Sequence, residues 1–232
     1  MIGSAILLSN FIEGNMKQFI IPVYQRNYDW LIDNCEQLFN DLVKLSKQHK
    51  QTHFFGSIVT ASADAYGRNR LVIDGQQRIT TISLLLLAGI KAVKDEKLLV
   101  SNEARLNEAY EMFLLAKFSS ADRKIKLVPI ESDRIAYDLI FDNAEDKFIA
   151  ESKVTRNFMY FYGLLTKTPQ EFSFDDLLNT IERLQIITIE LDNNDDAQLI
   201  FESLNSTGLA LTEADKIRNY LLMSLSPEEQ QQ

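Results

Sequence analysis

One cysteine, Cys35, leaves no internal disulfide framework, and a lone thiol fits a reducing compartment. The only two histidines, His49 and His53, stand at the spacing of a helical metal pair. No cysteine or third histidine lies nearby, and KQHKQTHFF is polar on one side, so this segment reads as a solvated helix end and no zinc is expected. No positive charge precedes Lys17, so Ile6 to Ile12 does not make a signal peptide. The longest unbroken apolar stretch, Leu84 to Ile90, falls far short of the ~20 residues that span a bilayer. A cytoplasmic protein with no membrane contact is expected. Basic residues are outnumbered, 24 against 33 acidic, for a net charge of −9. Such a surface repels a phosphate backbone, so nucleic-acid contact requires a local basic patch. Proline and glycine are sparse, at 4 and 8, and no flexible linker, internal repeat or low-complexity segment is visible. No G-x-x-x-x-G-K-[ST] occurs, which excludes a P-loop.

What is present is ample apolar material, 46% of 232 residues, enough for one large domain or two small ones. Phe19 to Tyr24 (FIIPVY) is β-rich. From Trp30 onward, Leu31, Cys35, Leu38, Phe39, Leu42 and Leu45 form the stripe of an amphipathic helix. Phe54 to Ala61 (FFGSIVTA) and Leu71 to Ile73 (LVI) read as strands of a hairpin turned at Ala65 to Asn69. The helix from about Gln76 to Lys94 is apolar nearly all round and should run through the interior. From Glu103 to about Leu184 the pattern becomes helices with charged faces, ARLNEAYEMFLLAKF, SDRIAYDLIFD, TRNFMYFYGLL and SFDDLLNTIERL. Ser132 and Ser173 are plausible N-caps, and KIKLV (124 to 128) reads as a short strand between helices. Ile186 to Leu191 is a late strand expected to pair back onto the first sheet. Helix DDAQLIFESLN, a loop at Ser206 to Gly208 and a last helix opened by Thr212 with Asp215 at capping-box spacing follow. The expected class is α+β: a small α/β unit over 1–95, a predominantly helical unit over 96–185, and a strand plus helix-loop-helix over 186–232 that packs back on the first.

Three polar clusters interrupt this apolar frame. In LVIDGQQRITTISLLLLAG a strand, a turn and a helix leave the first helical amides unpaired, an arrangement that binds anions. Arg78 adds a guanidinium fork suited to phosphate. Asp74 can hold Mg²⁺, orient a water or cap the helix, and Gln76 and Gln77 can position a water or a base edge. Asp-Gly is equally an ordinary turn dipeptide, and a first-turn arginine can be plain surface. YQRNYDW (24 to 30) packs an amide, a guanidinium, a carboxylate and three aromatics between a strand and a helix, the composition of a ligand edge. It is also consistent with an N-cap at Asp29 and core packing by Tyr24 and Trp30. The third cluster, FESLNSTG (201 to 208) with Asp215, Lys216 and Arg218, reads either as site or as a helix C-cap with a solvated basic face.

IPVYQRNYDW, FFGSIV, LVIDGQQRITTISLLLL and IFESLNSTGLALTEADKIRNYLL, in this order, resemble the N-terminal domain family of GmrSD-type restriction proteins, from about Phe19 to Met223. The resemblance implies a fold related to the ParB and sulfiredoxin-like domains. It also implies a Mg²⁺-dependent nucleoside-triphosphate hydrolysing and regulatory module of anti-phage systems that attack modified DNA. It ties Asp74, Gln77 and Arg78 to hydrolysis. Gln25, Arg26, Gly75, Gln76, Thr80, Thr81, Asn205, Lys216 and Arg218 are the candidate nucleotide contacts, and Tyr24, Tyr28 and Trp30 a surface for sensing DNA modification. No metal-ligand set is assigned, and Glu202 is the candidate second carboxylate. The His-rich HNH-type nuclease half of such proteins is missing, so the expectation is a chain cut at a domain boundary or the short subunit of a split system. Its partners would be the nuclease domain or subunit, modified DNA through the full assembly and, as an option, a second copy. The alternative is a sensing module that binds nucleotide or modified DNA without turnover and controls a partner nuclease.

Overall fold

A computed structural model of the chain describes residues 1–48, 52–64, 66–119, 121–167, 171–192, 195 and 200. The elements in chain order are β1 (Ile2–Leu7), α1 (Leu8–Ile12), β2 (Gln18–Ile20), α2 (Ile32–Lys47), β3 (His53–Ser62), β4 (Asn69–Asp74) and α3 (Gln76–Lys94). There follow α4 (Glu103–Ala109), β5 (Leu127–Val128), α5 (Glu131–Phe141), α6 (Lys153–Lys167), α7 (Phe174–Glu182) and β6 (Leu184–Leu191). The fold is α+β. One six-stranded mixed sheet has the order β1-β6-β3-β4-β2-β5.

The β-branched run IITIEL does return to the first sheet, and it takes an interior place there. β6 pairs antiparallel with β1 and parallel with β3. β3 and β4 form the expected antiparallel hairpin. Its turn is organised by the Asp64 carboxylate, which accepts the amides of Tyr66, Arg68 and Asn69 at 2.9, 3.0 and 2.7 Å. Those bonds hold the Asp64 carboxyl below its ordinary range against its desolvation.

The helix over 76–94 has the expected bounds, and every residue from Gln76 to Ala92 except Arg78 is buried. It packs against α6 and α7, while Ile58 and Val72 of the sheet belong to the same apolar cluster as its Ile79, Ile82 and Leu85. That cluster continues through α2, α5, α6 and α7, so one core joins the sheet to the helical segment. A smaller cluster of Val59, Ile73 and Leu191 covers the opposite sheet face, as strand alternation requires.

Several local expectations are corrected. The strand over FIIPVY stops at Ile20, since Pro22 has no N–H to continue a ladder. Leu31 is the N-cap of α2 and is exposed, outside the buried stripe of Cys35, Leu38, Phe39, Leu42 and Leu45. His53 is on β3, with its amide bonded to the Arg183 carbonyl at 3.0 Å, so it is not on a helix; His49 lies outside the described residues. ARLNEAYEMFLLAKF is not one helix: α4 passes into a π-turn at Tyr110–Leu114, and Leu115 then bridges Ile125. Lys126 closes this junction. It is almost fully buried, donates to the carbonyls of Ile12 (3.0 Å) and Met112, and burial lowers its pKa to about 8. Ser132 lies inside α5, whose N-cap is Ile130, whereas Ser173 caps α7 with Asp176 in a capping box. β1 had no signal of its own in the sequence. Among the described residues no helix is long and apolar enough to cross a membrane.

Candidate functional site

The DGQQR segment folds as a strand, a one-residue turn and a helix. Asp74 ends β4, Gly75 is the N-cap of α3 at φ +92°, and the helix starts at Gln76. A Cβ on Gly75 would stand 3.0 Å from Ile58 Cγ1 and 3.1 Å from the Ser57 carbonyl oxygen. The turn therefore lies directly on β3, in a left-handed conformation that glycine adopts without cost. No side chain among the described residues caps the helix start. Among the described residues the amides of Gln76, Gln77 and Arg78 have no acceptor, and the positive end of the helix dipole is presented there.

Three successive side chains leave this turn in three directions, because neighbours on a helix are about 100° apart. Gln76, with Thr80 one turn on, lines a cavity of about 10 Å³ shared with Ile21, Tyr28, Pro129 and Asp133, room for about one water. Gln77 turns to the YQRNYDW loop. Its Oε1 accepts the amides of Asp29 (2.8 Å) and Trp30 (3.3 Å), and its Nε2 donates to the Asn27 carbonyl at 3.1 Å. Arg78 turns to β3, where Nη1 donates to the Ser57 carbonyl and lies 3.8 Å from Asp74 Oδ2. Its guanidinium occupies the space above Gly56, at φ +121°, where a Cβ would come within 2.9 Å of Nε. Asp74 and Arg78 both remain partly open to solvent.

The YQRNYDW loop is fastened along its length. Gln25 is buried and donates from Nε2 to the Ile73 carbonyl at 2.8 Å, one residue before Asp74. The Tyr28 hydroxyl is 2.7 Å from Thr81 Oγ1, and Thr81 in turn donates to the Gln77 carbonyl at 2.7 Å. The Tyr28 amide donates to Asp133 Oδ2 at 2.6 Å, and burial raises the Asp133 carboxyl above its ordinary range. From α6, Asn157 donates to the Tyr28 hydroxyl (3.0 Å) and the Trp30 carbonyl (2.8 Å), and Lys153 pairs with Asp29. Arg26 sits between the anchored Gln25 and Asn27, half-buried, and among the described residues it has no hydrogen-bond or ion-pair partner.

The first two polar clusters thus meet at the start of α3. Gln77 and Thr81 serve the loop, Gln76 and Thr80 the small cavity, and Asp74, Arg78 and Arg26 keep free capacity. Tyr24 and Tyr28 are buried, and desolvation raises both phenols. They do not form the stacking edge expected of them; of the three aromatics only Trp30 is half-exposed. The third cluster, with Glu202, Asn205, Lys216 and Arg218, lies outside the described residues. Sequence reasoning missed Gly56, Ser57, Asp133, Lys153 and Asn157. Two of these had a signal: a glycine in mid-strand marks close approach of another group, and Asn157 interrupts the apolar stripe Val154, Phe158, Phe161, Leu165 of α6.

Chemically, a turn with open amides, an arginine and one half-open carboxylate suits an anion such as a phosphate group. Among the described residues no group of three His, Cys, Asp or Glu side chains is placed to hold a metal alone. The family model described as GmrSD restriction endonuclease, N-terminal domain, matches residues 7–222. None of the curated proteins matches the chain.

Proposed function

This chain belongs to the GmrSD restriction endonuclease N-terminal domain family, and we propose that it acts there as a Mg²⁺-dependent nucleoside triphosphatase that regulates a nuclease carried by another domain or subunit. The observation that carries this reading is the Asp74–Gly75–Arg78 turn. It sets open helix amides, a guanidinium and a carboxylate side by side without a P-loop.

Phosphate oxygens would be held by the amides of Gln76 to Arg78 and by the guanidinium of Arg78, which has donors beyond the one given to Ser57. Arg26, lacking an internal counter-ion among the described residues, adds a second charge against the negative charge that develops on the transferred phosphoryl group. Mg²⁺ commonly binds one or two carboxylates and completes its shell with phosphate oxygens and water. A single half-open Asp74 fits that demand, and the ion would neutralise phosphate charge there. Gln77, whose amide is committed to the loop backbone, contributes by fixing that loop.

Phosphate release by the purified chain should require Mg²⁺ and respond to more than one substitution in the turn. Tight nucleotide binding with no release, by this chain and by an assembly containing the nuclease, would support the sensing alternative. One observation favours that alternative: the carboxamide oxygen that could accept from a water already accepts two loop amides.

A further inference from the structure

We propose that Asn157, on α6, is a positioning residue for this site: it holds the YQRNYDW loop, and with it Arg26, in the arrangement that receives nucleotide. This rests on the reading of the Gly75 turn as a nucleotide site.

An asparagine on the buried stripe of a helix is costly unless its amide is satisfied, and Asn157 is 2% exposed. Its bonds go to the loop and not to its own helix. Both go to groups far away in sequence, the Tyr28 hydroxyl and the Trp30 carbonyl. The direction of the chain that follows is fixed by donor count. Asn157 can only donate from Nδ2, so the Tyr28 hydroxyl accepts, and its own proton goes to Thr81 Oγ1. The Thr81 proton goes to the Gln77 carbonyl, and the Gln77 side chain accepts the amides of Asp29 and Trp30. The chain starts on α6, enters the loop at Tyr28 and returns to it one and two residues on, at Asp29 and Trp30. Lys153, one turn earlier on α6, adds the ion pair to Asp29.

The loop from Ile21 to Leu31 contains no helix or strand, so without these anchors it samples many conformations. A ligand then binds only the competent fraction, and its apparent affinity falls by that fraction. Preorganising the loop from α6 removes that loss.

Trp30 is the single tryptophan, so its emission reports this loop alone. Asn157→Leu removes both donors, Asn157→Asp replaces the amide with a carboxylate against the Trp30 carbonyl, and Lys153→Ala removes the half-exposed ion pair. In the full chain the two Asn157 variants should raise the nucleotide KM about tenfold with kcat within about twofold of wild type. Their free Trp30 emission should be red-shifted and return toward wild type on adding Mg²⁺ and nucleotide, a response wild type lacks. Lys153→Ala should show the same signs at smaller size. Wild-type KM and emission in folded Asn157 variants overturn the proposal, as does a kcat loss that only tracks the folded fraction. If neither Asn157 variant folds, Lys153→Ala decides, and unchanged KM and emission overturn it. If wild type binds no nucleotide, the reading of the turn fails and the proposal with it; if wild type turns over while the variants keep its KM, only the proposal fails.

Discussion

Gln77 and Arg78 are adjacent in the chain and face different neighbours, and the fold has put them to opposite uses. The Gln77 amide is largely committed: three backbone groups of the YQRNYDW loop take both acceptor positions of its oxygen and one of its two N–H donors. Arg78 gives one bond to Ser57, faces Asp74 and stays open to solvent. Polar residues clustered at an element end therefore divide into those that build the rim and those that remain available to a ligand. The same division separates Tyr28, Thr81 and Lys126, all spent internally, from Arg26 and Asp74.

The widest separation should appear in a pair of alanine variants. Arg78→Ala should cut phosphate release by about 100-fold or more while changing stability by about 1 kcal/mol or less, since its ion pair is partly exposed. Gln77→Ala strands two amides and a carbonyl, and urea unfolding should find it about 2–4 kcal/mol less stable. Equal stability losses in the two variants would break the contrast.

Gly56→Ala sharpens it from the other side. A methyl 2.9 Å from the Arg78 Nε, on a backbone at φ +121°, should cost about 2 kcal/mol and displace the guanidinium. In the Gly56→Ala, Arg78→Ala double variant the steric part disappears, so the stability losses should sum to less than their separate values.

Lys126 tests the committed class through pH. Its folded pKa is lowered to about 8 from 10.5, so below pH 8 both states carry the proton and the folded state bears the full cost of the buried charge. Between pH 8 and 10.5 the unfolded state holds the extra proton. Wild-type stability measured relative to Lys126→Met should thus be flat below that window and rise within it, by up to about 1.4 kcal/mol per pH unit. A fall with pH would contradict the assignment. The smallest effect is expected for Tyr28→Phe, which removes one hydroxyl from a bonded chain and should cost about 0.5–1 kcal/mol in thermal or urea unfolding.

Much of this architecture was legible where the signal is local. The periodicity of α2, the bounds of α3, the hairpin of β3 and β4 and the Ser173 cap all follow from residues within a few positions of each other. β1 was not legible, because Gly3 and Ser4 interrupt IGSAIL with turn-type residues and it becomes a strand through pairing with β6. The break at Tyr110–Leu114 was hidden by helix-forming side chains, and tertiary pairing of Leu115 overrides them. For the site, the strand-turn-helix form of DGQQR could be read directly. What could not be read was allegiance. A glutamine or tyrosine has the same composition whether it bonds a ligand or a backbone, and only the approach of α6 and β3 decides between them.

The place of β6 bears on how the protein is made. Among the described residues it is the last strand in chain order, and it lies inside the sheet, between β1 and β3. A nascent chain that has already produced α3 therefore holds β1 with no neighbour and β3 with one bare edge. Neither is covered until Leu184–Leu191 has left the ribosome, some ninety residues after α3 ends. Closure of that kind is slow, because distant segments must meet before any pairing compensates, and bare apolar strands invite foreign ones in the interval. Translation stalled before Leu184 should yield chains that aggregate or bind chaperones, and a β6 peptide supplied in trans should compete for the gap.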